Sequence, residues 1–255
     1  MAHWNVTEPW QGTAIATVFG SLDRVFQLSG KTITKDALSE VILFEAADTR
    51  FYVKRYTAAG KGLRKYLGKS RIRAEWENML FFHQLGLPAA KVVAYGEERR
   101  GGLFVRGALI TEELKATTDM ARLAHQHDAR LKDPKWLYPV LQQIAEIAKT
   151  LHRARFIHTD FKWRNILVTG DSHPQVYLID CPAGYQWPQR CCGKPVARGI
   201  IKDLACLDKV AKYHLSPSQR LRFYKWYCFG NVKQKLSVAQ KQQIRRIVAF
   251  FEGRE

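Results

Sequence analysis

One run of eight residues, His158-Thr159-Asp160-Phe161-Lys162-Trp163-Arg164-Asn165, holds an aspartate, a lysine and an asparagine at close spacing. Moving a phosphoryl group onto a hydroxyl needs a carboxylate to accept the hydroxyl proton. It also needs a metal ligand that adds no further negative charge beside the phosphates. An aspartate with an asparagine five positions on lets one loop present both. Asp160 is therefore the candidate base and Asn165 a candidate metal ligand. Lys162 is placed to neutralise charge on the group in transfer. The plainer alternative is a buried histidine and a capping aspartate in a turn, so the surroundings must decide.

The surroundings favour the chemistry. Twenty residues past Asp160, the apolar run Val176-Tyr177-Leu178-Ile179 ends in Asp180. The pattern H-x-D-x-x-x-x-N followed by a strand ending in an acid is that of protein-kinase-like phosphotransferases, where the second aspartate binds Mg²⁺. Upstream, Phe51-Tyr52-Val53-Lys54 places a lysine late in a strand, where such enzymes contact nucleotide phosphates. That lysine needs a glutamate on the following helix, and Glu75 and Glu77 are the candidates. At about 100° per residue, Glu75 sits about 80° from the apolar stripe of Ile72, Trp76 and His83, and Glu77 about 120° away. Glu75 is the better choice. Asp203, among apolar residues of a helix, is suited to accept backbone N–H groups of the catalytic loop.

These residues need elements to carry them. Alternation predicts strands at 31–35, 41–45 and 51–54. Residues 57–70 read as a basic, Gly-punctuated loop. A helix carries Ile72 to His83 and stops at Gly86 and Pro88. Strands follow at 91–95 and 103–110, joined by Glu97–Gly102. After about residue 115 helices dominate: 136–153, 200–213, a helix from Ser216-Pro217 to Gly230, and one from Ser237. A hairpin of 166–168 and 176–179 interrupts them. No period is legible in residues 1–30. The expectation is two units. Residues 1–114 form a five-stranded sheet with one helix, binding nucleotide; residues 115–255 carry the catalytic loop, metal site and acceptor site.

The 255 residues are 46% hydrophobic and 25% charged, ordinary for a globular chain. No apolar run is long enough to span a membrane. The first residues lack the pattern of a signal peptide, so a cytoplasmic location is expected. Forty-one Lys and Arg against 23 Asp and Glu leave +18, which points to a polyanionic partner. The five cysteines are odd in number and lack zinc spacing, so they read as reduced thiols. Two basic patches stand out: Lys61, Arg64, Lys65, Lys69, Arg71 and Arg73, and Arg220, Arg222 and Lys225 among aromatic residues.

The sequence resembles the lipopolysaccharide core kinases, which phosphorylate Kdo or heptose. The residues that carry the likeness are Phe51–Tyr56, Arg73–Asn78, Leu109–Leu114, the His158–Asn165 loop, Tyr177–Asp180 and Gln219–Tyr224. The resemblance implies an α+β, protein-kinase-like bilobal fold with a small β-rich N-lobe, one helix in it, and a mainly helical C-lobe. It implies ATP with Mg²⁺, and places adenine after Ile110, near Glu112, Glu113 and Leu114. The acceptor implied is a sugar hydroxyl of the lipopolysaccharide inner core, on an anionic membrane surface at the cytoplasmic face of the inner membrane, with no nucleic acid. The chain departs from protein kinases in having no G-x-G-x-x-G before Lys54, Cys181-Pro182 after Asp180, and no A-P-E. A phosphorylated activation loop is therefore not expected. Two other readings remain: a kinase of a soluble small molecule such as an antibiotic or free sugar, and a non-catalytic anionic-lipid or nucleic-acid-binding protein on a kinase scaffold.

Overall fold

The computed structural model describes residues 2–59, 68–190 and 193–253. The chain divides into two compact units: residues 1–115 with 180–182, and residues 116–179 with 183–255. The short segment Asp180–Pro182 thus belongs to the first unit, although chain order sets it inside the second.

Unit 1 is built on an antiparallel sheet in the order β1-β5-β6-β4-β3-β2. Its strands are β1 (Ala2–Val6), β2 (Lys31–Lys35), β3 (Ser39–Ala46), β4 (Thr49–Tyr56), β5 (Val92–Arg100) and β6 (Leu103–Glu112). Six strands stand where the sequence pattern shows five. Three helices stand where it shows one: α1 (Ala14–Val18), α2 (Leu22–Gln27) and α3 (Arg71–Gln84). The additions come from residues 1–30. Helices of five and six residues are too short to display a period or to stand alone. Tertiary contacts hold them: Trp4 Nε1 donates to Phe19 O at 2.7 Å, and Ile15, Phe19, Leu22 and Val25 form one core with Phe51, Val53, Ala94 and Ile110. The connection expected at 97–102 shrinks to Gly101-Gly102, both left-handed. The charged residues before it continue the strand, with Glu98 paired to Arg100 and Arg106.

Strand alternation sends Phe51 and Val53 into the α1–α2 core and Lys54 to the face bearing α3. On that face Gly107 of β6 lies under α3. A Cβ there would come 2.8 Å from Ile72 Cγ2 and 2.9 Å from Gly96 O, so only glycine allows the helix this close.

Unit 2 comprises α4 (Met120–His125), α5 (Pro134–Arg153), α6 (Gly193–His214), α7 (Pro217–Phe229) and α8 (Val238–Val248). A three-stranded sheet runs β10 (Val176–Leu178), β9 (Ile166–Thr169), β7 (Thr117–Asp119), and β8 (Phe156–Ile157) pairs with β11 (Tyr185–Gln186). Leu137, Leu141, Ile144, Ala148 and Leu151 bury one stripe of α5. Ser216 and Ser237 open α7 and α8 with reciprocal caps to Gln219 and Gln240. Gly199 of α6 lies against Ile157, where a Cβ would meet Cγ1 at 2.7 Å, and this seats α6 against the strand leading into the catalytic loop.

Candidate active site

In unit 1, Lys54 Nζ lies 2.8 Å from Glu75 Oε1 and 2.9 Å from Asp180 Oδ1. Glu75 is on the buried face of α3 with Ile72, Trp76, Asn78 and Met79. Glu77 is at the surface, paired with Arg73 and Lys69. Burial alone would push the Lys54 ammonium down, but Glu75 and Asp180 overcome that and hold its pKa above the usual lysine range. Burial pushes Glu75 up to about 7, against the pull of Lys54. Burial also favours neutral Asp180, yet Lys54 outweighs it and the carboxyl stays below its ordinary value. Asp180 takes a left-handed backbone, φ 56°. Its neighbour Cys181 is held by Asn78, whose Nδ2 donates to Cys181 O at 2.7 Å. Sequence reading missed Asn78. Its signal was a polar residue one turn after Glu75 on the same inward stripe.

In unit 2, the loop between β8 and β9 folds around Asp160. Lys162 Nζ lies 2.5 Å from Asp160 Oδ1, and Arg164 Nη2 lies 3.1 Å from Oδ2. Burial would raise the Asp160 carboxyl, but hydrogen bonds from Lys162 and Arg164 hold it below the ordinary value. Arg164 was not among the expected residues, although its i,i+4 spacing from Asp160 was available. Asn165 is buried; its Nδ2 donates to Asp160 O at 2.9 Å, which turns the amide oxygen the other way.

The loop hangs from α6. Fully buried Asp203 accepts His158 N–H at 2.7 Å and Thr159 N–H at 2.8 Å. Thr159 sits at φ 65°, costly for a β-branched residue, and the Asp203 bond holds it there. Behind Asp203, His152 Nε2 lies 3.4 Å from Oδ2, and His152 Nδ1 lies 3.0 Å from Tyr227 Oη. Neither His152 nor Tyr227 was legible as part of the site.

The remaining expected contacts lie at the end of β6. Glu112 N–H donates to Lys91 O and Glu113 N–H to Arg50 O. Their carboxylates pair with Lys91 and Arg50. Leu114 follows, half-buried. The turn between β2 and β3 has its own carboxylate: Asp36 accepts Leu38 and Ser39 N–H, both at 2.7 Å, and these bonds lower its pKa. Among the described residues no cluster of three or more His, Cys, Asp or Glu has a metal-binding arrangement.

The basic patches differ from expectation. Lys61, Arg64 and Lys65 lie outside the described residues, and Lys69 and Arg73 are paired with Glu77. In the second patch, Arg220 binds Asp208 through two hydrogen bonds. Arg222 lies over the Tyr138 and Trp226 rings, and Lys225 donates to Val232 O. Tyr224 is core, with Phe223 and Tyr227 packed against it. These groups hold unit 2 together because each cation has an internal partner. Cys181, Cys206 and Cys228 are free thiols; Cys191 and Cys192 lie outside the described residues.

A family model for the lipopolysaccharide kinase (Kdo/WaaP) family matches residues 28–227. The chain belongs to this family. Within the Kdo/WaaP family, it is 24% identical over 163 residues to the lipopolysaccharide core heptose(I) kinase WaaP of Pseudomonas aeruginosa, covering 62% of this chain and 56% of that protein. It is 29% identical over 113 residues to the 3-deoxy-D-manno-octulosonic acid kinase of Actinobacillus succinogenes, covering 44% of each. The chain spans about half the length of the curated relatives it matches. A solved structure of WaaP in complex with acyl carrier protein superposes with a TM-score of 0.70 at 21% identity, covering 98% of this chain and 97% of that one. The fold is therefore the kinase-like fold of this family.

Proposed function

We propose that this Kdo/WaaP family member transfers the γ-phosphoryl group of ATP to a heptose or Kdo hydroxyl of the lipopolysaccharide inner core. The observation that carries the reading is the Lys54 ammonium bound at once to Glu75 and Asp180. In kinases a strand lysine paired to a helix glutamate, with the metal-binding aspartate in place, marks a nucleotide site ready for phosphates.

Each residue then has a role. Lys54, fixed by Glu75, binds phosphate oxygens. Asp160 orients the acceptor hydroxyl and takes its proton. Its lowered pKa makes it a weak base, suited to accepting the proton late, when the hydroxyl has become acidic. Lys162 and Arg164, already on the Asp160 carboxylate, offset charge on the group in transfer. Asp203 keeps the loop in its strained form. Carbonyl oxygens at Glu112 and Glu113, with Leu114, meet the adenine edge, since both glutamate side chains and N–H groups are engaged. The β2–β3 turn contributes little to phosphate binding because Asp36 already occupies its N–H groups.

The donor set suits Mg²⁺. Asp180 offers an ionised, partly exposed carboxylate and Asn165 an uncharged amide oxygen, and a Mg²⁺ that keeps water and phosphate oxygens needs only one or two carboxylates. When bound, it would neutralise phosphate charge.

The acceptor's lipid anchor calls for work at an anionic membrane surface, on the cytoplasmic face of the inner membrane. No helix among the described residues is long and apolar enough to cross a membrane, so attachment would be peripheral. An acyl carrier protein partner, as the relative has, would dock on the surface and present an apolar chain to the apolar cavity of about 220 Å³ in unit 2, lined by Leu141, Ile144, Leu204, Leu207 and Ile247. The test is phosphate transfer from labelled ATP to a panel of core oligosaccharides. Transfer lost in Asp160→Ala supports the reading; transfer to free sugars or antibiotics alone would replace it.

A further inference from the structure

The positive charge is concentrated where the catalytic residues are not. Residues 193–248 carry thirteen Lys and Arg against two Asp, a net of +11 out of +18. Both acids are engaged: Asp203 holds the catalytic loop and Asp208 holds Arg220. Helix α8 has three cations and no acid. The cations of α6 and α8 therefore lack acidic partners on their own elements.

Two of them share one groove of about 400 Å³, where Arg198 of α6 and Arg246 of α8 stand over Ile201, Ala249 and Phe250. Both arginines are exposed, while Ile201 is buried and Phe250 half-buried. Neither arginine has an ion pair to a described acidic residue. The groove thus has cationic walls and an apolar floor. Like charges facing one concave space repel unless an anion is seated there, and guanidinium forks match phosphate oxygens. The surrounding surface continues both themes. In sequence Lys202 follows Ile201 and Arg245 precedes Arg246, and Val248, 49% exposed, lies between Arg246 and Ala249 at the end of α8. Basic residues beside exposed apolar ones on a surface helix suit the interfacial layer of an anionic bilayer.

We infer that the Arg198–Arg246 groove seats the phosphate of an anionic lipid and docks unit 2 on the membrane. This rests on the reading that the acceptor is membrane-borne. The amphiphilic groove favours lipid over an acidic protein, which would need a broad contact of about 800 Å² rather than one narrow pocket.

The test compares binding of the full chain to vesicles of equal parts phosphatidylglycerol and phosphatidylcholine with binding to phosphatidylcholine alone. Wild type binds the mixed vesicles only. Each cation at an anionic surface contributes about fivefold, so R198A/R246A should weaken binding roughly tenfold or more. A control pair of exposed lysines, K31A/K132A, should stay close to wild type. Two results overturn the groove: loss as large in the control pair, or R198A/R246A binding as wild type does. Loss of acyl carrier protein binding with vesicle binding intact would give the face to a protein partner instead. Transfer to a deacylated core oligosaccharide, which needs no membrane, is followed in parallel and stays unchanged in R198A/R246A. If wild type itself lacks that transfer, the kinase reading fails while vesicle binding still decides the groove.

Discussion

Lys54 Nζ meets Glu75 Oε1 at 2.8 Å across the gap between β4 and α3, and the glutamate that it meets is fully enclosed. Burial raises the carboxyl while the lysine restrains it, so this ion pair forms against a large desolvation cost. Positioning for phosphate binding, rather than stability, explains its presence.

Glu75→Gln tests that balance. The folded-state pKa of Glu75 is raised from 4.5 to about 7, so the native state holds more protons than the unfolded chain between those values. Its contribution to stability therefore falls as pH rises through that window, by up to roughly 3 kcal/mol. Denaturant melts at pH 5 and pH 8 should show wild type losing stability relative to Glu75→Gln at the higher pH. Parallel changes in both proteins would contradict the assignment.

Asp160→Asn keeps the shape of the side chain and removes its charge. Transfer should fall by roughly two to four orders of magnitude. Nucleotide binding should persist, because Lys54, Glu75 and Asp180 are untouched. Single-turnover assays beside nucleotide titrations separate the two; near-normal turnover would remove Asp160 from the mechanism.

Asp180→Ala should act on binding as well as on rate. Mg²⁺-dependent nucleotide affinity should drop, and the residual affinity should no longer respond to chelation by EDTA. Affinity that stays wild-type and EDTA-sensitive would exclude Asp180 as a ligand.

Tyr227→Phe removes only the hydroxyl facing His152 Nδ1. Stability should change by about 1 kcal/mol, and kcat should fall several-fold with nucleotide KM unchanged, since the loss travels through His152 and Asp203 to the loop. Asp203→Asn should lower kcat further, with Thr159 losing the charged acceptor for its strained backbone. An unchanged kcat in both would leave the network a packing feature only.

Gly107→Ala probes the approach of α3. The added methyl would crowd Ile72 Cγ2 and Gly96 O, costing about 1–3 kcal/mol. Because Ile72 and Glu75 share α3, nucleotide affinity should fall with it. Full affinity would mean that the helix can shift without disturbing Glu75.

Local patterns were legible without the fold. Alternation over 51–54 set the face of Lys54, helical spacing separated Glu75 from Glu77, and the Asp160–Asn165 interval marked the catalytic loop, because each depends on backbone geometry within a few residues. What needed the tertiary structure were partnerships between distant positions. Lys54 and Asp180 are 126 residues apart and Asn78 and Cys181 are 103 apart; no period spans such intervals. The β1 strand and helices α1 and α2 exist only by packing against Phe51, Val53 and their neighbours. The aromatic, basic run at 220–229 looked like an interface by composition, yet Asp208, Tyr138 and Val232 claim its cations from other elements. Composition determined that this chain carries excess positive charge; only the placement of two acids decided which cations remain for a partner.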